Sequence, residues 1–524
     1  MNAQYGAETL REYRGTHHRY ALTIPMKHTI ALVCFALLCG HVAAQEGQTF
    51  NVVMQNQVQG PATGFSVKEV PDGYLVFSGQ RGLSSTPQDP FVTLFDFSGQ
   101  VVWEKDYVVA RYSNYGLPDP VCRTPDGGFA SGVSVFGLTS DIDSLFLWRF
   151  DAQGDTVFTR FLMADTTMTI RKCIRTMNGD FVLTGLHEFP EEQYLLRTDS
   201  LGNIKHFAGF ANFDGYGGMG LAEDPSGNFY LTGFQYNSSH RGSLIKCDSV
   251  GNLLWTRLYE MENGISEWLS ALVLSDSSVL VVGGKGISFG NSSAIISRYT
   301  SNGELLWTDD VVTGIGGPSY INRLTDAFQR PDGTIVVAGQ YEWEGIGFFG
   351  FVQGYSMAGD SLWRRSFTYF TGIGDGDHNI WDVESTSDGG MILTGEAYNH
   401  AQPGSPVNMW LVKTDSLGCV VPGCQNVGVQ EFTIDLQEHL VVSPNPASDR
   451  VNVLLTLSET GEIEGQAQVL LLDATGRTVL EQPMQRNLNQ LRTTVEVSAL
   501  PAGMYYLHLR DAKRWLAGSK VVVE

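Results

Sequence analysis

Short apolar runs alternate with tight polar turns along residues 46–418, and two anchors recur there in fixed order. The first is a turn, often Asp-Gly, leading into an apolar strand that ends in glycine. It reads DGYLVFSG from Asp72, NGDFVLTG from Asn178, SGNFYLTG from Ser226, DSSVLVVG from Asp276, DGTIVVAG from Asp332 and DGGMILTG from Asp388. DGGFASGV from Asp126 is a weaker copy, with Val133 where the glycine should stand. The second anchor is a strand running into an Asp-x-x-Gly-type turn, whose glycines are Gly99, Gly154, Gly202, Gly251, Gly303, Gly359 and Gly418. Four residues beyond them stand Trp103, Phe158, His206, Trp255, Trp307, Trp363 and Pro422. Each series has seven members, spaced by 48 to 59 residues, so the region is a sevenfold repeat.

The alternation of Phe181 and Leu183 with Val182 and Thr184 is that of a strand, and no segment sustains a helical period. Asp, Asn and Gly suit the turns because they tolerate left-handed backbone or bond it locally. About four strands per repeat of roughly 50 residues is the arithmetic of a β-propeller. The predicted fold class is all-β: a seven-bladed β-propeller followed by a small Ig-like β-sandwich. The seventh repeat lacks its aromatic strand, since Pro422 stands there, while residues 49–54 are an unused strand-like segment. Adding that segment to the last blade would close the ring and leave no exposed edge. Most of the aromatic residues, held in fixed register, are expected to pack between blades.

Composition narrows the class of partner. The 34 basic against 56 acidic residues give a formal charge of −22, a surface that repels phosphate backbones and argues against nucleic acid. Lys27 and His28, the apolar run from Ile30 to Cys39, and Val42-Ala43-Ala44 before Gln45 read as a signal peptide cleaved after Ala44, with Met26 as the true start. The run is too short to span a bilayer, and neither Cys34 nor Cys39 sits in a lipoprotein-type box. No transmembrane segment is expected.

Five cysteines follow: Cys122, Cys173, Cys247, Cys419 and Cys424. The last two bracket a Val-Val-Pro-Gly turn that brings them into bridging range, and export permits a disulfide. Zinc would need two more ligands, and none is near. The other three lie in repeat strands and read as small buried hydrophobes.

Beyond Gly418 the repeat ends. Domain limits are expected at 1–44 for the signal region, 45–418 for the propeller, 419–436 for a linker with the disulfide turn, and 437–524 for a small sandwich. In that last segment SPNPASDRVNV (443–453), DATGRTV (473–479), LPAGMYYLHLRD (500–511) and the terminal KVVVE (520–524) occur in order. Together they resemble the C-terminal sorting domain of type IX secretion cargo in Bacteroidetes. The resemblance implies export through the periplasm and the type IX machinery to the surface or medium. Removal of the domain and attachment to a surface lipopolysaccharide often accompany that route. It places Pro444, Asn445 and Pro446 at the opening motif, Gly476 in a hairpin turn, Pro501, Gly503 and Tyr505 at the Pro-Ala-Gly-x-Tyr strand, and Lys520 in the last strand. The repeat region itself resembles uncharacterised propellers of the same bacteria, with no assigned activity.

No phosphate loop, His-Glu-x-x-His, Gly-x-Ser-x-Gly or calcium loop is present. Asp375, Asp377 and His378 read as a solvated turn rather than a metal site, and no cofactor is expected. If residues 49–54 close the ring, loops 111–118, 212–219, 314–322, 369–379, 188–193, 341–347 and 399–406 share one face. Ligands are expected at the channel mouth there, with Tyr115, Tyr216, Tyr320 and His378 as candidate contacts. The leading expectation is a non-catalytic binding protein whose propeller engages a glycan or a protein. The alternatives are a glycosidase- or lyase-like enzyme using two of Glu188, Glu342, Glu344, Glu396 and Asp377 near the axis, or a structural envelope component.

Overall fold

The computed structural model describes residues 48–524 apart from a set of segments, chief among them 55–61, 81–88, 108–119, 211–217, 312–321, 425–439 and 458–465. The signal-peptide reading, with Met26, Cys34, Cys39 and Ala44, lies outside the described residues.

Each repeat becomes one four-stranded antiparallel meander. The first six span residues 62–106, 121–166, 168–210, 220–259, 265–311 and 323–367. The seventh joins the strands Gly376–Ser385, Met391–Asn399 and Asn408–Thr414 to Phe50–Met54 from the other end of the chain. That strand runs antiparallel to the last, with Phe50 opposite Lys413 and Met54 opposite Met409.

Both anchors build turns that need positive φ. All seven glycines of the second anchor adopt it, between +76° and +94°. In the first anchor Gly73, Gly127, Gly179, Gly227, Gly333 and Gly389 do the same, and Ser277 takes the position in the fifth repeat at φ +65°. Side-chain oxygens lock these turns: Asp199 Oδ1 accepts hydrogen bonds from Leu201 N at 2.9 Å and Asn203 N at 2.8 Å. The Asn203 side-chain amide and these amides hold the Asp199 carboxyl below its usual range.

The sheets pack face to face, and every consecutive pair shares a buried apolar cluster. The seventh and first sheets share one too, in which Ile392, Met409 and Leu411 meet Val67, Tyr74, Val76 and Phe91. The stack is therefore a closed ring, a β-propeller. Outer strands lean on the second-anchor glycine of the next sheet. A Cβ at Gly154 would lie 2.7 Å from the Trp103 ring, and one at Gly359 2.9 Å from the Trp307 ring. At Gly99 the neighbour, also 2.9 Å away, is the Phe50 ring. The N-terminal strand thus does in the seventh sheet what the tryptophan strands do elsewhere.

The Cys419–Cys424 disulfide is formed, with Cα atoms 5.6 Å apart. Beyond it, two four-stranded antiparallel sheets enclose a separate core that includes Val451, Val453, Val469, Leu471, Val495, Leu507 and Val521. Among the described residues no helix is long and apolar enough to cross a membrane.

Candidate functional site at the mouth of the ring

In five sheets the first strand, the one that carries the sheet-to-sheet contacts, bulges at the same register. The irregularity follows Gly64, Ile170, Trp268, Leu324 and Ile380. A backbone reason for the glycine that closes the first anchor emerges here. A Cβ at Gly185, Gly283, Gly339 or Gly395 would stand 1.7 to 2.1 Å from the carbonyl oxygen of Thr169, Glu267, Arg323 or Asn379 respectively. The bulged strand passes so close that only hydrogen fits.

The bulge directs chemistry two ways. Leu269, inside the bulge of the fifth sheet, packs with Met219 of the fourth and Trp381 of the seventh. The seventh sheet neighbours neither of the others, so these side chains meet across the ring. One position before the paired bulge residue stand Thr63, Thr169, Glu267, Arg323 and Asn379, one polar residue per sheet. They lie toward the end of the sheets where the second-to-third-strand connections and the sheet-to-sheet crossings run. Several polar atoms there are buried without a hydrogen-bond partner among the described residues: Thr169 Oγ1, Arg323 Nε, Asn379 Oδ1 and, opposite Arg323, Gln340 Oε1.

Between the fifth and sixth sheets Glu267 and Arg323 line a shallow pocket, open to solvent, together with Ile265, Ser266, Gly284, Lys285 and Ser292. Glu267 Oε1 and an Arg323 nitrogen are 3.9 Å apart, too far for a hydrogen bond. Burial pushes the Glu267 carboxyl up, and the Arg323 charge only partly offsets this. Lys285 reaches Asp310 at 2.5 Å and the Tyr259 hydroxyl at 3.3 Å. Burial opposes its charge, but those two bonds outweigh it and hold the ammonium above its usual value.

Of the contacts expected from the sequence, Tyr115, Tyr216 and Tyr320 lie outside the described residues, as do Glu188 and Glu344. His378 is buried and its ring is fully engaged. Nδ1 lies 3.0 Å from the Phe348 carbonyl oxygen and Nε2 accepts from Phe370 N at 3.0 Å, which leaves neither nitrogen for a ligand. Burial lowers its pKa to about 4, so it is neutral at physiological pH. Of the expected solvated turn, Asp375 lies outside the described residues, while His378 stands on the strand Gly376–Ser385 and packs against Trp410. Asp377 contacts His400 at 2.9 Å. Glu396 accepts from the Thr63 hydroxyl at 2.6 Å and the Asn379 amide at 3.0 Å, tying the seventh sheet to the first. The backbone amide of Glu342 donates to Asn322 Oδ1 at 2.8 Å. Sequence reasoning passed over Glu267, Gly284, Lys285 and Arg323. The closing glycine of the first anchor was the available signal, because the residue it crowds is the mouth residue.

In the C-terminal sandwich the motif residues tie the opening segment to the last strand. Asn445 donates to the Lys520 carbonyl at 2.7 Å and accepts from Val522 N at 2.9 Å, with Pro444 and Pro446 exposed on either side. The Tyr505 hydroxyl donates to the Pro501 carbonyl at 2.8 Å, and Gly503 pairs with Val523. Gly476 lies outside the described residues.

Residues 441–524 match the family model of the secretion system C-terminal sorting domain. This domain directs the chain through type IX secretion to the cell surface or the extracellular space, and the type IX machinery is its partner. No curated protein matches the chain. Among solved structures, a protein of unknown function from Bacteroides caccae is similar at 10% identity and TM-score 0.32, over 59% of this chain and 94% of that one. The β-propeller domain of the Trilobed protease from Pyrococcus furiosus is similar at 8% identity and TM-score 0.40, over 68% and 96%. A periplasmic gluconolactonase from Pseudomonas aeruginosa is similar at 10% identity and TM-score 0.40, over 69% and 98%.

Proposed function

We propose that this is an exported, non-catalytic binding protein whose ring engages a surface glycan at its mouth, centred on the pocket between the fifth and sixth sheets. The same reading takes residues 26–44 as the signal peptide and 45–418 as the binding domain. The observation that carries it is at the mouth of the fifth and sixth sheets, where Glu267 and Arg323 line an open recess without hydrogen-bonding to each other and Arg323 Nε is buried with no partner among the described residues. Buried polar groups ordinarily have partners, so the unpartnered Arg323 nitrogen beside the open recess leaves a donor for a bound hydroxyl. Sugar hydroxyls donate and accept, so they suit a site that offers the Glu267 carboxylate beside the Arg323 guanidinium. Hydrolysis of a glycoside would call for two carboxylates about 5–10 Å apart. Among the described residues Glu267 is the single carboxylate lining the pocket, and its neighbours there are Lys285 and Arg323. Glu396 and Asp377 already hold other partners, which further favours binding over hydrolysis.

The test is a glycan array probed with the full chain and two variants, beside a panel of glycosidase substrates. Arg323→Ala should weaken binding at least about tenfold, roughly 1.4 kcal/mol. Gly284→Ala should weaken it without unfolding the protein. Its Cβ would sit 3.4 Å from the Asn322 carbonyl oxygen and 3.7 Å from Glu267 Oε1, ordinary contacts that narrow the pocket. Binding should also fall as pH drops through the raised pKa of Glu267, because the acceptor is then protonated. Turnover of any substrate refutes the non-catalytic reading, and binding undiminished in Arg323→Ala refutes the pocket.

A further inference from the structure

Five cysteines lie in the described part of the chain, and only Cys419 and Cys424 are bridged. Two of the remaining three are not isolated. The Sγ atoms of Cys122 and Cys173 are 3.7 Å apart. Cys122 sits on Val121–Arg123, the first strand of the second sheet, and Cys173 on Met168–Arg175, the first strand of the third. The two residues belong to the apolar cluster that joins those sheets, with Leu145, Leu147, Ile170 and Leu183 around them. A disulfide has its sulfurs about 2.05 Å apart, so the pair is short of bonding by about 1.7 Å. The third thiol is different in kind. Cys247 is buried in the interface between the third and fourth sheets, and burial pushes its pKa up to about 12, so it offers almost no thiolate at neutral pH.

We propose that Cys122 and Cys173 form a second disulfide in the exported protein, stapling the second sheet to the third, and that Cys247 stays a free thiol. The chemistry is ordinary exchange with a disulfide-bearing oxidant outside the cytosol. One thiolate attacks the oxidant's sulfur, and the second thiolate displaces that sulfur from the mixed disulfide. Two protons leave the protein thiols, and two electrons reduce the oxidant to a dithiol. The export route takes the chain into such a compartment. The bond would span 51 residues of sequence, a long loop whose closure restricts the unfolded chain more than the short Cys419–Cys424 loop does.

Peptide mapping of the full exported chain tests this. The protein is recovered from outside the cytosol, unfolded without reductant in the presence of an alkylating agent, digested and analysed by mass spectrometry. The expected result is alkylation at Cys247 alone, with the peptides of Cys122 and Cys173 covalently linked. The Cys419–Cys424 bridge is the internal control for oxidation. Alkylation of both Cys122 and Cys173 in molecules where that bridge is intact overturns the proposal. In addition, Cys122→Ser should melt at lower temperature than the parent without reductant, and the gap should close when reductant is added. A gap that persists in reductant would assign the loss to packing and count against the bond.

Discussion

Single residues carry much of what makes this ring closed. Ser277 alone, among the described non-glycine residues, adopts positive φ, at +65°, where six other repeats have glycine. Left-handed backbone costs a residue with a Cβ roughly 1–2 kcal/mol, and glycine returns part of that through its freer unfolded chain. Ser277→Gly should therefore stabilise the protein by about 0.5–1 kcal/mol, read as a higher melting temperature. The opposite substitution is more costly, because Gly359 answers two demands at once. Its φ is +94°, and an added Cβ would lie 2.9 Å from the Trp307 ring of the preceding sheet. Gly359→Ala should cost upwards of about 2 kcal/mol, combining backbone strain with displacement of the indole. A melting curve unchanged by that variant would show that Trp307 can withdraw freely. The fixed spacing of glycine and tryptophan, four residues apart in sequence, pointed to packing. The partner of Trp103, Trp307 and Trp363, a glycine one sheet further on, was hidden because that contact is made only when sheets stack.

At the scale of strands and turns, a charge pattern repeats. A carboxylate in the first-anchor turn meets a cation on the third strand: Asp126 with Arg149 at 2.7 Å, Asp224 with Lys246 at 3.1 Å, and Asp388 with Lys413 at 2.8 Å. The Lys413 side chain is 0% exposed. Burial works against the charge of Asp388, but hydrogen bonds from Lys413, Thr386 and Gly390 outweigh it and hold its carboxyl below the usual range. Asp388→Ala would strand the ammonium in the core and should cost about 3–5 kcal/mol in denaturant unfolding. The pH dependence follows from the direction of the shifts. A carboxylate with a lowered native pKa adds stability that is fully present above its unfolded value near 3.8. That stability is lost as pH falls through the native value, which for Asp126 is about 2. Acid titration should therefore show stability declining from about pH 4 downwards, with a smaller decline in Asp388→Ala. The strand pattern and the turns were legible at this scale because both follow from local backbone preferences. The mouth was less so: Thr63, Thr169, Glu267, Arg323 and Asn379 share a register but no chemistry, so no repeat search aligns them.

The whole molecule divides its tasks between ring and tail, and the packing says how separable they are. Closure was readable because the seventh repeat lacked an outer strand and residues 49–54 had no repeat of their own. The Phe50–Met54 strand fills that place. The direction of export was readable because the tail motifs are contiguous segments of chain, whereas the pocket draws Glu267 and Arg323 from different repeats. Within the ring, the seven clusters that join neighbouring sheets contain no residue beyond Val420. The tail's core contains none before Leu440. One small cluster links the two, where Val421 beside the disulfide packs on Leu470, Leu472 and Tyr506. Deleting residues 437–524 should thus remove the address and leave the ring folded. The truncated chain is expected inside the outer membrane, with the melting temperature of its ring within a few degrees of the parent's, since among the described residues none of the seven interface clusters includes a deleted one. Cell fractionation with protease shaving of intact cells reads the location, and calorimetry of the recovered protein reads the fold. Surface delivery of the truncated chain would mean that the ring carries a second export signal. Loss of the ring's own melting transition would mean that the contact at Val421 matters more to the ring than its size suggests.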